Sequence, residues 1–341
     1  SYSWWLHRPA PNESLRIYSA ASGGGHLLNQ SNSSVQRFFH SYIDRHYNAD
    51  DGLMMDDQGA SISGELYYSD CGCRATAELT SNGALVKAHT AMSRHMTHRS
   101  GMPFLQVDNA LAPNPYLPQG FTLLSRSHDV RGLITEGAPE SNGVLDANYS
   151  TLLDQIAYVT NRTSGFVVLL SYAPDDAPYV DQSRRVQEGT MLLGYGPGHL
   201  VDWADLERGS RALAVWPEEG LYPTHPLQSM KSPHGPGCLA GRGVLCSKGG
   251  HNTLQVAPGV YRREFASCEF RGHPFGACAA IVNTNTSPVI VHGSWLHERY
   301  THSITFAGGD VQSGGKIRLK GAPFQADATA VGPQDAILLA P

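Results

Sequence analysis

Three short apolar runs constrain this chain more than any other feature. They are Gly52-Leu53-Met54-Met55-Asp56-Asp57, Phe104-Leu105-Gln106-Val107-Asp108-Asn109 and Gly132-Leu133-Ile134-Thr135-Glu136-Gly137. Each stops on a carboxylate or amide, and stretches long enough for a helix and its loops separate them. Short, mostly apolar runs of this kind read as strands covered on both faces, the pattern of parallel sheets. A parallel pair needs a long crossover, which these spacings supply. In a closed β/α barrel the C-terminal strand ends converge on one mouth, where the chemistry sits. Acids delivered there from several strands point to acid/base chemistry, with sugar hydrolysis the leading candidate.

The same alternation extends along the chain. Leu15–Ser19 reads as a short strand. Asn32-Ser33-Ser34 offers an N-cap to a helix over Val35–Tyr47, whose Val35, Phe38, Phe39, Tyr42 and Ile43 carry helical spacing. Further helices are predicted over Ala84–His98, Tyr149–Val159 and Val180–Leu193, and further strands over Phe166–Ser171 and Arg211–Trp216. Residues 58–82 read as a long polar loop. The expected fold is α/β, a (β/α)8-type barrel followed by a small all-β sandwich. Only about six strands of the barrel type can be found where eight are needed. The first one or two units are therefore expected upstream of Ser1 or in degenerate form, and an open parallel sheet is the alternative.

The character changes after Leu221. Residues 222–255, rich in Pro, Gly, His and Ser, read as a linking segment. From residue 256 short runs alternate without helices, which predicts an antiparallel sandwich over 256–341 and leaves 1–221 as the barrel.

Charge excludes some partners. Charged residues are 16% of the 341, the net charge is −5, and no Lys/Arg run exists to grip nucleic-acid phosphates. No stretch approaches the roughly 18 apolar residues of a membrane span. The six cysteines, Cys71, Cys73, Cys238, Cys246, Cys268 and Cys278, are even in number. Proximity suggests Cys238–Cys246 and Cys268–Cys278 as disulfides. Cys71 and Cys73 sit too close for an easy mutual bridge, yet have no other evident partner. With scarce lysine and sequons at Asn12, Asn29, Asn32, Asn148, Asn161 and Asn285, this predicts a secreted, glycosylated chain. A targeting segment is expected to have been removed, or upstream residues to be absent from this chain. The 16 histidines include His89, His95 and His98 near one helix face, but no HExxH, and they read as packing or surface groups. No metal or cofactor is expected, and oligomeric state is left open.

The chemistry needs two carboxyls, one protonating the leaving oxygen and one staying ionised. Glu136 follows Leu133 and Ile134; burial there would raise its pKa and suit it to the acid role. Asp56 and Asp57 are adjacent, so alternation sends them to opposite faces and only one should meet substrate. Asp108 and Asn109 would hold hydroxyls. Trp4, Trp5, Tyr67, Tyr68, Tyr172, Tyr195 and Trp216 could stack on sugar rings, with Tyr172 and Trp216 placed at strand ends. Against this stands the plainer reading, in which strand-end acids cap helices and aromatic rings fill the core. Gly-rich stretches at 23–25 and 194–198 lack a phosphate-loop ending, and Gly59–Gly64 misses the nucleophile-elbow spacing.

The order of these pieces resembles glycoside hydrolases with a β/α barrel and a C-terminal β-sandwich, in the group related to α-galactosidase-type barrels. Asp51-Gly52-Leu53-Met54-Met55-Asp56 matches their Asp-Gly-φ-φ-φ-Asp strand end. Gly259–Phe265, Ala280-Ile281-Val282-Asn283 and Gly332–Leu339 are similar to the run that closes their sandwich. The resemblance implies a nucleophile or base on strand four and an acid/base on strand six. These fall on Asp56 (or Asp57) and Glu136, with a carbohydrate as substrate. Leu170-Ser171-Tyr172 carries no carboxylate, so a strand-seven glutamate is not implied. A non-catalytic carbohydrate-binding or structural protein on the same fold is the rival reading.

Overall fold

The computed structural model describes residues 2–19, 24–46, 52–55, 62, 69–99, 102–103, 105–108, 130–141, 144–145, 149–150, 152–153, 156, 166–172, 180–194, 200–204, 221–228, 254–311 and 317–341. The chain divides into two compact units, residues 1–134 with 236–245, and residues 135–235 with 246–341. It is a mixed α/β structure with few helices and both parallel and antiparallel sheets.

In the first unit, β1 (Tyr18–Ser19) pairs antiparallel with β2 (Gly25–His26). Bonds from Leu6 N to Leu27 O, Ile17 N to Leu6 O and Leu27 N to Ile17 O extend this into a small N-terminal ribbon. Helix α1 (Ser33–His46) starts where its cap predicts, because Asn32 Oδ1 accepts from Ser34 N at 2.8 Å. Arg45 and His46 in its last turn suit the negative end of the helix dipole. Strand β3 (Gly52–Met55) precedes helix α2 (Asn82–Thr97), which is capped by Ser81 Oγ at Ala84 N.

Apolar spacing on α2 serves two clusters. Leu85 and Ala88 join Leu6, Ile17, Ile62 and Leu79, while Met92 and Met96 join Val35 and Ile43 of α1 with Trp4 and Phe39 beside them. A short β4–β5 ribbon (His98–Arg99 with Met102–Pro103) follows. Strand β6 (Leu105–Asp108) then pairs parallel with β3, and β7 (Val130–Ser141) pairs parallel with β6. The parallel sheet expected from the three acid-ended runs is present here.

Strand β7 crosses the unit boundary and folds back on β8 (Val144–Leu145). In the second unit β9 (Phe166–Tyr172) neighbours β7 on one side and pairs parallel with β10 (Leu200–Ala204) on the other. Among the described residues the pairs β3–β6, β6–β7 and β9–β10 are parallel. Strand β10 was not anticipated; Arg211–Trp216, the expected strand, lies outside the described residues.

A seven-stranded antiparallel sheet dominates the second unit. It comprises β11 (Leu221–Pro226), β12 (Gln255–Ala257), β13 (Val260–Phe270), β14 (His273–Asn283), β16 (His302–Val311), β17 (Ile317–Pro323) and β19 (Asp335–Ala340), in the order β11-β13-β14-β19-β16-β17 with β12 beside β13. A separate ribbon pairs β15 (Val289–Ile290) with β18 (Ala330–Val331). The β13–β14 hairpin turns through Arg271 and Gly272, at φ 50° and 77°. Two positive φ values mark the turn whose twist matches the flanking strands. Composition placed residues 222–226 in a linking segment, yet they belong to an edge strand, where prolines cost the ladder nothing.

Each face of this sheet is covered. Helix α3 (Val180–Gly194) packs Leu192 against Phe265, Cys268, Cys278, Ala280, Ile304, Leu338 and Ala340. Val260, Ala279, Ile281 and Leu339 point the other way, toward Val291, Tyr300, Phe324 and Val331. The strand period of two sorts β14 onto both sides. Gly189 lets α3 approach closely, since a Cβ there would meet Ala336 Cβ and Val282 Cγ2 at 2.9 Å. Arg185 grips Asp335 with two bonds of 2.7 and 2.8 Å, and Gln182 Nε2 donates to the carbonyls of Pro333 and Gln334. Arg263 Nη1 caps the other end at Leu193 O. The helix predicted over Tyr149–Val159 is seen at Tyr149, Leu152, Leu153 and Ile156, helical and buried.

The expected Cys268–Cys278 disulfide ties β13 to β14 with both cysteines buried. Cys71 and Cys73, judged too close for an easy bridge, are bonded to each other around Gly72, whose φ of 57° makes the turn. Cys238 and Cys246 lie outside the described residues.

Candidate functional site

Asp108, Glu136 and Tyr172 stand on described strands; Asp56, Asp57, Asn109 and Trp216 lie outside the described residues. Within the first unit the register is specific. Met55 is level with Asp108, and Asp108 is level with Leu133. The C-terminal ends of two acid-ended runs therefore lie side by side in one parallel sheet. Glu136 follows three residues after Leu133 on the same strand. Tyr172 ends β9 and pairs with Ala204 at the end of β10. Parallel strands end level in this way because evenly spaced ladder bonds keep neighbours in phase.

Of the other aromatic candidates, Trp4 lies against Phe38 at 5.3 Å between ring centroids and flanks the α1–α2 cluster. Trp5 sits edge-on to His26, with the Arg16 guanidinium over its ring. Tyr67, Tyr68 and Tyr195 lie outside the described residues. The sequons fare unevenly. Asn29 is buried, donating to Ser3 O and accepting from Ser31 N; Asn32 is the α1 cap; Asn285 bonds Pro258 O. Asn12 is exposed.

Two polar constellations escaped the sequence reading. In the first unit, His7 donates its backbone N–H to Glu78 Oε2 at 2.9 Å, and its ring Nδ1 lies 2.5 Å from Glu78 Oε1. His89 lines a neighbouring cavity of about 70 Å³ with Leu6, Ile62, Thr76, Leu79 and Leu85. Burial lowers the pKa of His89 to about 4, so its ring is neutral at pH 7. His89 is thus an interior packing group, as its helix-face position suggests.

The second constellation centres on Glu264, which is fully buried in the antiparallel unit. Its Oε1 accepts from Arg262 Nη1 at 2.6 Å and His297 Nδ1 at 2.8 Å, with Gln228 Nε2 at 3.4 Å. Its Oε2 accepts from the His297 and Glu298 backbone N–H groups and from Tyr300 OH. Burial pushes its pKa up; the bonds from His297 and Glu298 and the Arg262 charge outweigh this and hold it below the usual carboxylate range. Tyr300 is driven the other way by burial and by the Glu264 charge. The carboxylate is saturated with donors, so it secures the loop after β15 rather than receiving a substrate proton.

The groove of about 240 Å³ beside Arg185, Ser303 and Asp335 is smaller than an ordinary ligand pocket, roughly 300–1,000 Å³. Among the described residues no three His, Cys, Asp or Glu side chains are grouped to hold a metal ion. No described helix is long and apolar enough to cross a membrane.

No protein-family model matches the chain, and no curated protein matches it. Among solved structures, the chain is similar to a GH30 endoxylanase from Clostridium papyrosolvens C71. The TM-score is 0.39 and the identity 8%, over 98% of this chain and 75% of that one.

Proposed function

We propose that this chain is a glycoside hydrolase of the β/α-barrel type, with Glu136 as general acid/base and Asp56 or Asp57 as nucleophile or base. The observation that supports it best is the level, parallel pairing of Gly52–Met55 with Leu105–Asp108. Two strands whose runs end on acids share one sheet with their C-terminal ends together, as a mouth built from strand ends requires. Asp108 and Asn109 bind hydroxyls, and Tyr172 and Trp216 stack on sugar faces. The antiparallel part, with α3 packed on it, serves as a stabilising accessory. The disulfide buried between β13 and β14 supports an extracellular setting.

The test is turnover on a panel of polysaccharides, read as new reducing ends. Glu136→Gln and Asp56→Asn are each expected to lower kcat by roughly a hundredfold or more, with the thermal unfolding midpoint unchanged. If Asp57→Asn rather than Asp56→Asn has this effect, the nucleophile is Asp57. Activity of Glu136→Gln near wild type sinks the assignment. Binding of glycans without turnover by the wild-type chain favours a non-catalytic carbohydrate-binding protein on the same fold.

A further inference from the structure

We propose that Cys71–Cys73 is a thiol–disulfide exchange site, opened by an external dithiol while Cys268–Cys278 stays closed, and that opening it loosens a clamp on the N-terminal ribbon. The two described disulfides differ in what exchange depends on, access of a thiolate to sulfur. Cys268 and Cys278 are 0% and 1% exposed, inside the cluster beneath α3. Cys71 and Cys73 are both partly exposed and flank an exposed glycine. Their bond closes a ring over a sequence separation of 2, against 10 for the other pair, so it restrains little of the unfolded chain. What it restrains is local.

The local geometry gives the bond something to control. On one side of the ring, Asp70 N donates to Tyr18 O at 2.8 Å, Tyr18 N donates to Asp70 Oδ1 at 3.1 Å, and Arg8 Nη2 pairs with Asp70 Oδ2 at 3.0 Å. On the other side, Ala77 N donates to His7 O at 2.9 Å, and Glu78 holds His7 through both its backbone N–H and its ring. The segment from Asp70 to Glu78 thus straps the ribbon at two points, and the Cys71–Cys73 ring lies between them. The sulfurs also border the cluster of Leu6, Ile17, Leu79 and Leu85. Closing the ring fixes the turn at Gly72 and shortens the strap; opening it returns rotational freedom to the span between the two ties.

The exchange balances without any other component. A thiolate of the dithiol attacks Sγ of Cys71 or Cys73, the Cys71–Cys73 bond breaks, and a mixed disulfide forms. The second dithiol sulfur then attacks the mixed bond, closes the reagent's own disulfide and releases the cysteine. Two electrons pass from dithiol to protein, and two protons end on the cysteine sulfurs.

The experiment titrates the intact chain with dithiothreitol without denaturant, labels thiols with a maleimide, and maps them by peptide mass spectrometry. Hydrogen exchange is measured on the same samples. Cys71 and Cys73 are expected to stay unlabelled before reductant and to become labelled at concentrations that leave Cys268 and Cys278 unlabelled. Exchange at the Asp70 and Ala77 amides is expected to rise roughly tenfold or more, with β13 and β14 unchanged. A Cys71→Ser/Cys73→Ser variant should show the faster exchange without reductant and no response to it. Labelling of Cys71 or Cys73 before reduction, simultaneous opening of both pairs, or opening without any change at Asp70 and Ala77 would each overturn the proposal. If the double variant fails to fold, the labelling and exchange of the wild-type chain still decide.

Discussion

Glu264 shows what a fully buried charge needs at the scale of one residue. Six donors converge on its two oxygens, from Gln228, Arg262, the His297 ring, the His297 and Glu298 backbone and Tyr300. Removing the charge leaves the partly buried Arg262 and the other donors without their charged acceptor. Glu264→Gln is expected to cost about 3 kcal/mol at pH 7, read from urea unfolding. The native carboxyl titrates below its ordinary range, so the unfolded chain takes up the proton first. Its contribution to stability is complete above about pH 4.3, the ordinary glutamate value, and disappears as pH falls through the lower native value. The variant should therefore lose part of the acid limb of the stability curve; an unchanged limb would show that other carboxylates set it. Asn283, also fully buried, does a related task with no charge: its amide donates to Ser287 O and Gly332 O, joining the end of β14 to the approach to β19. The two pieces of the tail motif, Val282-Asn283 and Gly332–Leu339, are thereby next to each other for structural reasons.

At the scale of elements, α3 is the piece whose role was hardest to foresee. The sequence predicts a helix over Val180–Leu193, but no local feature says which sheet it covers. The partner appears only through Gly189, Arg185 and Gln182, which meet β14, β19 and the turn before β19 across more than ninety residues of sequence. Gly189→Val places methyl groups where Ala336 and Val282 already sit. It should destabilise the chain by about 2 kcal/mol, measured by denaturant unfolding, because a packed helix–sheet contact cannot yield by that much. No change would mean that α3 can slide.

For the molecule as a whole, the sequence was most informative where a pattern is local. The cap at Asn32, the helical spacing on α1, the acid-ended parallel strands and the short β-runs after residue 256 all follow from short-range rules. Strand β10 was missed because Leu200-Val201-Asp202-Trp203-Ala204 is short and broken by an acid. The edge strand β11 was missed because its two prolines read as linker. Of the candidate site, the backbone places Asp108 in register with Met55 and Leu133, Glu136 farther along β7, and Tyr172 at the end of β9. The Glu264 cluster was not legible, since its donors come from separate loops that only the fold assembles.

The helix on the antiparallel sheet also tells an experimenter where not to cut. Composition invites a boundary near residue 256, yet a fragment begun there leaves α3 behind and bares Phe265, Ala280 and Leu338 to water. Such a contiguous apolar surface drives self-association. A piece starting at residue 256 should scatter light and sediment as aggregate, whereas one starting at residue 180 and retaining α3 should remain monodisperse. If both behave alike, the helix is dispensable as a cover, and the sheet is protected by other means.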